Sequence, residues 1–162
     1  MLSLLEKVAV YEVGLGIGYF KIRNVIDWVD STILELNSSK IPYILYEVSL
    51  SSNKKIIDVI SLLSELTKGN YKVTASKVIL GLIYKSFEKK EIEINEVVTL
   101  MYRLAWQLNI EDHVFSKING LEADYEMAVD GYGDMPNVIK EIQEFLVIFE
   151  IYGELICVGP KD

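Results

Sequence analysis

Cysteine is almost absent from this chain, and the single thiol, Cys157, has no second cysteine to pair with. An internal disulfide is excluded, and with it the main sign of an oxidising compartment, so a cytoplasmic location is expected. The setting Leu155-Ile156-Cys157-Val158 is apolar and should hold that thiol protonated and inert. Histidine is equally scarce: His113 stands alone, which leaves no His pair for zinc and one centre only for imidazole chemistry. With three prolines there is little material for long disordered linkers. Bases are in deficit, with 16 Lys and Arg against 24 Asp and Glu and a net charge of -8, a balance that repels the phosphates of nucleic acid. No run approaches the ~18 uncharged apolar residues of a membrane span, and the start Met1-Leu2-Ser3-Leu4-Leu5-Glu6-Lys7 lacks the basic and apolar regions of an export signal. Neither export nor membrane insertion is expected. A Gly-x-Ser-x-Gly elbow and a Walker loop are also missing, so the expectation is a protein without catalysis, cofactor or metal.

What is present is an ordinary globular composition, 51% hydrophobic and 25% charged over 162 residues. That length suits one domain burying roughly two thirds of the surface of its unfolded chain. Helical spacing dominates. Ile22, Val25, Ile26, Val29, Ile33 and Leu36 form one apolar stripe, with Trp28, Asp27 and Asp30 at its border. Ile94, Val97, Val98, Met101, Leu104, Ala105 and Leu108 fit the template without a miss. Asn53 is a candidate cap for a helix to about Lys68 whose apolar residues surround most of its circumference, which marks it as the central helix. Thr74 is a candidate cap for the next, with Lys77, Lys85, Lys89 and Lys90 as a basic rim. A helix starting at Asn109 or Glu111 points Val114, Ile118, Leu121, Tyr125 and Ala128 inward until Gly131 and Gly133 break it, and Pro136 opens a last one before Gly153.

Two segments read as helix or strand alike, residues 8–13 and residues 43–49. If the first is a strand, Gly14-Leu15-Gly16-Ile17-Gly18 imitates a dinucleotide-binding turn, with Glu47 ending a second strand. The imitation lacks its third glycine, where Tyr19 stands, and no later strands extend a parallel sheet. The alternative is a first helix ended by Gly14. The expected fold is therefore all-α: a single-domain bundle of seven or eight helices over residues 1–162, with a short tail from 154 to 162.

Acid is concentrated late, the residues from 109 onward holding twelve acids and three bases. Glu122, Glu126 and Asp130 are spaced four apart and share a helix face, with Asp124 nearby and Asp134 in the following loop. Like charges at that spacing cost a few tenths of a kcal/mol per pair, so the ribbon is either a solvated face, a docking surface for a basic protein, or a carboxylate set for a divalent cation. The last is disfavoured because Asp130-Gly131-Tyr132-Gly133-Asp134 lacks the alternating acids of a calcium loop. Tyrosine is abundant, and Tyr43, Tyr46, Tyr125 and Tyr132 flank acidic or loop positions in the manner of interface residues.

The segment Ile-Asp-Trp-Val-Asp at 26–30, followed by Ile-Pro-Tyr-Ile-Leu-Tyr-Glu-Val-Ser at 41–49 and a leucine-rich helix, resembles bacterial immunity proteins of polymorphic and contact-dependent toxin systems. Several of those carry a Trp-acid helix, a Pro-initiated turn and a Glu-x-Ser step. The likeness spans residues 22–52, and Val29 and Asp30 fit loosely where those proteins have a small residue and an acid. It implies an inhibitor that occludes a cognate toxin, often a basic nuclease, and performs no chemistry itself. The expected partner is thus a basic protein, met by Asp27, Trp28, Asp30, Glu122, Asp124, Glu126, Asp130, Tyr132 and Asp134. A small-ligand protein or enzyme would instead need a pocket lined by groups such as His113, Asp27 or Glu47, and a non-catalytic subunit of a helical assembly would need neither.

Overall fold

Ser3 starts the first helix, α1 (Leu4–Ile17), through a reciprocal cap: its hydroxyl accepts from the Glu6 N–H, and its own N–H donates to the Glu6 carboxylate at 2.8 Å. The Ser3 backbone bond, then the Ser3 hydroxyl, hold the Glu6 carboxyl below its ordinary range. The computed structural model describes residues 1–36, 40–107 and 110–156. Within them α1 is buried on nearly every side from Val8 to Leu15, so residues 8–13 are helix and not strand. The helix does not stop at Gly14. It runs on to Ile17, and Gly18, at φ 86, turns the chain so that the Tyr19 and Phe20 N–H groups both reach the Gly14 carbonyl. Gly14 has a packing role instead, since a Cβ there would stand 2.3 Å from the Phe20 ring. The glycine series is therefore the end of a helix, and no strand occurs among the described residues.

Helix α2 (Ile22–Glu35) buries Val25, Ile26 and Val29 and leads to the short α3 (Tyr43–Ser49), the second ambiguous segment, which is also helical. Then comes α4 (Ile56–Thr67), which begins after Lys55 rather than at the expected Asn53 cap. It is not the central helix either: Val59, Leu63 and Thr67 face inward, whereas Ile56 and Ile57 are 51% and 63% exposed. The centre is α1 packed on α5 (Lys72–Glu88), which buries an unbroken run from Val78 to Ile83. Tyr71, left-handed at φ 66, precedes α5, so Thr74 lies inside the helix and not at its cap.

Helix α6 (Ile94–Gln107) presents the expected stripe, Leu108 lying outside the described residues. Its Arg103 donates to the Ile17 carbonyl at 3.1 Å, satisfying the open end of α1. α7 (Asp112–Val129) and α8 (Met135–Val147) follow as an antiparallel pair, and the single turn α9 (Glu150–Gly153) folds back against α5. The α5–α9 approach is close enough that only glycines fit: a Cβ on Gly81 would meet the Phe149 carbonyl oxygen at 2.3 Å and the Gly153 nitrogen at 2.5 Å. Ile156 then enters the core, so the expected tail begins as structure; Cys157 lies outside the described residues. The result is an all-helical single compact domain with, among the described residues, nine helices, eight of them of seven residues or more. None is long and apolar enough to cross a membrane.

The turn that follows α1 is tied to α5 by a polar side chain. The Tyr19 hydroxyl lies 3.2 Å from the Leu82 carbonyl and 3.0 Å from Ser86 Oγ, and burial pushes it up to about 12 from 10.0. The folded state thus keeps a proton that the unfolded chain loses, so this contribution is complete below pH 10 and declines as pH rises from 10 to about 12. Tyr19→Phe is expected to cost about 1 kcal/mol at neutral pH and to flatten the alkaline decline. Urea denaturation of both chains at neutral pH and at about pH 11 measures this; parallel curves would show that Tyr19 is not the group responsible.

Candidate functional site

The outer face of α7 assembles from its inner one. Val114, Ile118 and Leu121 are buried, with Tyr125 and Ala128 half-buried beside them. At 100° per residue, that stripe turns Glu122, Glu126 and Asp130 progressively outward along one flank and leaves Asp124 on the opposite flank. None of these four carboxylates has a Lys or Arg within ion-pair distance among the described residues, whereas Glu111, Glu141, Glu144 and Glu154 in the same part of the chain are all paired. After Asp130 the chain folds back: Gly131 sits at φ 85, the Tyr132 N–H donates to the Met127 carbonyl at 2.9 Å, and Gly133 lies against Ala128. This return brings the backbone of Tyr132, 82% exposed, back to the C-terminal end of α7, where Met127 and Val129 are exposed as well. Asp134 has other work, accepting from the Asn137 N–H as the cap of α8.

The second set of expected contact residues lies elsewhere. α2 packs on α1 and α3, while α7 packs on α6 and α8, so the two acidic faces share no principal neighbour. Asp27 is held by Arg23 at 2.9 Å, and Asp30 accepts from Ser49 Oγ, tying α2 to α3. Trp28 is half-buried with its ring stacked on Tyr11, centroids 4.2 Å apart and planes within 14°. Phe20 stacks on the same Tyr11 ring at 4.7 Å. Tyr43 is fully outside the core, and Tyr125 contributes to it.

A groove of about 780 Å³ opens where α5, the first turn of α7, α8 and α9 meet. Phe145, Phe149 and Val114 are the buried apolar lining, and Ile148 and Ile151, each 66% exposed, stand at its edge. Its polar rim is Lys77 paired with Glu111 at 3.0 Å, Lys117 with Glu141 at 3.9 Å and Lys140 with Glu144 at 3.7 Å. Of the three groups expected around a pocket, only His113 lines this one; Asp27 and Glu47 belong to α2 and α3. Among the described residues, no cluster of three or more His, Cys, Asp or Glu is arranged to hold a metal ion.

Sequence reasoning missed Glu12. It is 4% exposed in α1, accepts from Thr67 Oγ1 at 2.8 Å and pairs with Lys72 Nζ at 3.3 Å, which joins α1 to the end of α4 and the start of α5. A lone acid within an otherwise apolar run was the available signal. It also missed Ile148 and Ile151, whose signal was two large aliphatics off the buried stripe of their own segment. No protein-family model, curated protein or solved structure matches the chain.

Proposed function

We propose that this chain is a non-catalytic binding protein of the immunity type, acting in the cytoplasm, which captures a basic protein through the outer face of α7. The observation that carries this reading is the acidic flank of Glu122, Glu126 and Asp130, which has no ion-pair partner among the described residues and lies at the end of α7 that carries exposed Met127 and, past the turn, exposed Tyr132. Surface acids kept for solubility alone need no aromatic and thioether beside them, whereas an interface combines a charged rim with rigid or adaptable apolar anchors. A flank of one sign also accelerates encounter with a basic partner. Asp124 and Asp134 contribute to the field rather than to direct contact, the first lying on the other flank and the second capping α8. Asp27, Trp28 and Asp30 belong to a separate surface, where Trp28 acts mainly as packing.

The test uses the basic protein that immobilised wild-type chain retains at low salt and releases at high salt. Glu122→Gln, Glu126→Gln and Asp130→Asn together should slow its association about tenfold and flatten the salt dependence. The same change should leave the melting temperature unchanged or slightly raised, because repulsion is relieved. Trp28→Ala should instead lower stability by about 2–4 kcal/mol and leave the dissociation rate of the folded fraction nearly unchanged. An association rate at low salt that ignores the triple change would reduce the α7 face to solvated surface.

A further inference from the structure

The acid-rich last third of the chain has only three bases, and Lys117 and Lys140 among them line one groove. Lys77 joins them there from α5. Lys77 is closely held by Glu111 at 3.0 Å, but Lys117 and Lys140 approach their carboxylates only to 3.9 and 3.7 Å, beyond hydrogen-bond length. Glu141 is already engaged by the Asn137 amide at 2.9 Å. Among the described residues neither ammonium group donates a hydrogen bond, and such loose, exposed pairs hold them weakly. The first turn of α7 lines the same wall and adds the positive end of its dipole. Beneath this rim the lining is apolar and aromatic, and the volume falls within the range of small-ligand sites.

We propose that the groove between α5, α7, α8 and α9 binds a small amphipathic organic anion, its apolar body on Phe145, Phe149, Ile148 and Ile151 and its anionic head on Lys117 and Lys140. A cationic ligand is disfavoured because two of the three rim carboxylates are closely held, Glu111 by Lys77 at 3.0 Å and Glu141 by the Asn137 amide at 2.9 Å, while the first turn of α7 adds its positive end to the same wall. A purely apolar one would leave the two ammonium groups without use. This site is independent of the acidic flank of α7, and either reading can fail without the other.

The probes are anilinonaphthalene sulfonate and its neutral analogue phenylnaphthylamine, which share an apolar body and differ in the sulfonate. Fluorescence titration of the native chain should show one saturable sulfonate site, displaced by dissolved decanoate but not by phosphatidylglycerol vesicles. Lys117→Gln with Lys140→Gln should weaken the sulfonate about fivefold to tenfold and leave the neutral analogue unchanged. Ile148→Ser with Ile151→Ser should weaken both probes. All four side chains are at least half exposed, so the melting temperature should stay at the wild-type value and certify the fold. Neutralising Glu122, Glu126 and Asp130 should leave both affinities as they are. Equal loss of the two probes in the lysine variant, undiminished sulfonate binding in it, displacement by vesicles, or no saturable site at all would each overturn the proposal.

Discussion

Gly81→Ala is expected to destabilise the protein by about 3 kcal/mol or more, lowering the melting temperature by about 10 °C for a chain of this length. The added methyl would fall 2.3 Å from the Phe149 carbonyl oxygen and 2.5 Å from the Gly153 nitrogen, both backbone atoms that no rotamer change can move aside. Helix propensity works the other way, by about 1 kcal/mol in favour of alanine, so the net effect understates the collision by that amount. The matched control is Gly120→Ala on α7, where nothing lies within 4 Å of the new Cβ. There the same propensity difference is unopposed and should raise stability by about 0.5–1 kcal/mol. Equal and small effects at both positions in urea denaturation would mean that α9 does not press on α5 as closely as the structure has it.

Lys72→Met should cost about 3 kcal/mol, because it leaves the Glu12 carboxylate, 5% exposed, with Thr67 as its remaining partner. Glu12→Met should cost less. Lys72 is 32% exposed and can turn its ammonium to water, and Thr67 Oγ1 retains the Ser64 carbonyl at 3.3 Å. With both changes made, no buried charge is left over, and methionine fills the space flexibly, so the double variant should return to within about 1 kcal/mol of the native chain. A double-mutant cycle reads the difference directly. Costs that simply add would show that the pair is solvated and that its burial has little energetic meaning.

The parts of the fold that were legible beforehand are those with one wet face. α6 and α8 alternate buried and solvated residues at helical spacing, and their inner stripes fall where the pattern puts them. α1 was ambiguous for the opposite reason. A helix covered all round has no polar face to set a period, and its Val8, Val10 and Val13 beside Tyr11 imitate a strand. α4 erred in reverse: apolar residues around its circumference suggested full burial, yet Ile56 and Ile57 remain in water because composition does not say how many neighbours arrive. The acidic flank could be read from a spacing of four within a single helix. The groove could not, since its walls come from four helices, two of which, α5 and α9, approach through Gly81 and Gly153, far apart in sequence. Trp28 shows the same limit: its side chain is plain in the sequence, but its stacking on Tyr11 requires α1 to lie alongside α2.

The burial of α1 also has a consequence during synthesis. It leaves the ribosome ahead of the helices that cover it and has almost no face suited to water, and those helices, α4, α5 and α6, are complete only when Gln107 has been made. Until then a helix with almost no wet face waits for partners that do not yet exist. Nascent chains stalled before α5 should be strong clients for chaperones that hold apolar segments, and those stalled with α6 outside the tunnel should lose that dependence abruptly.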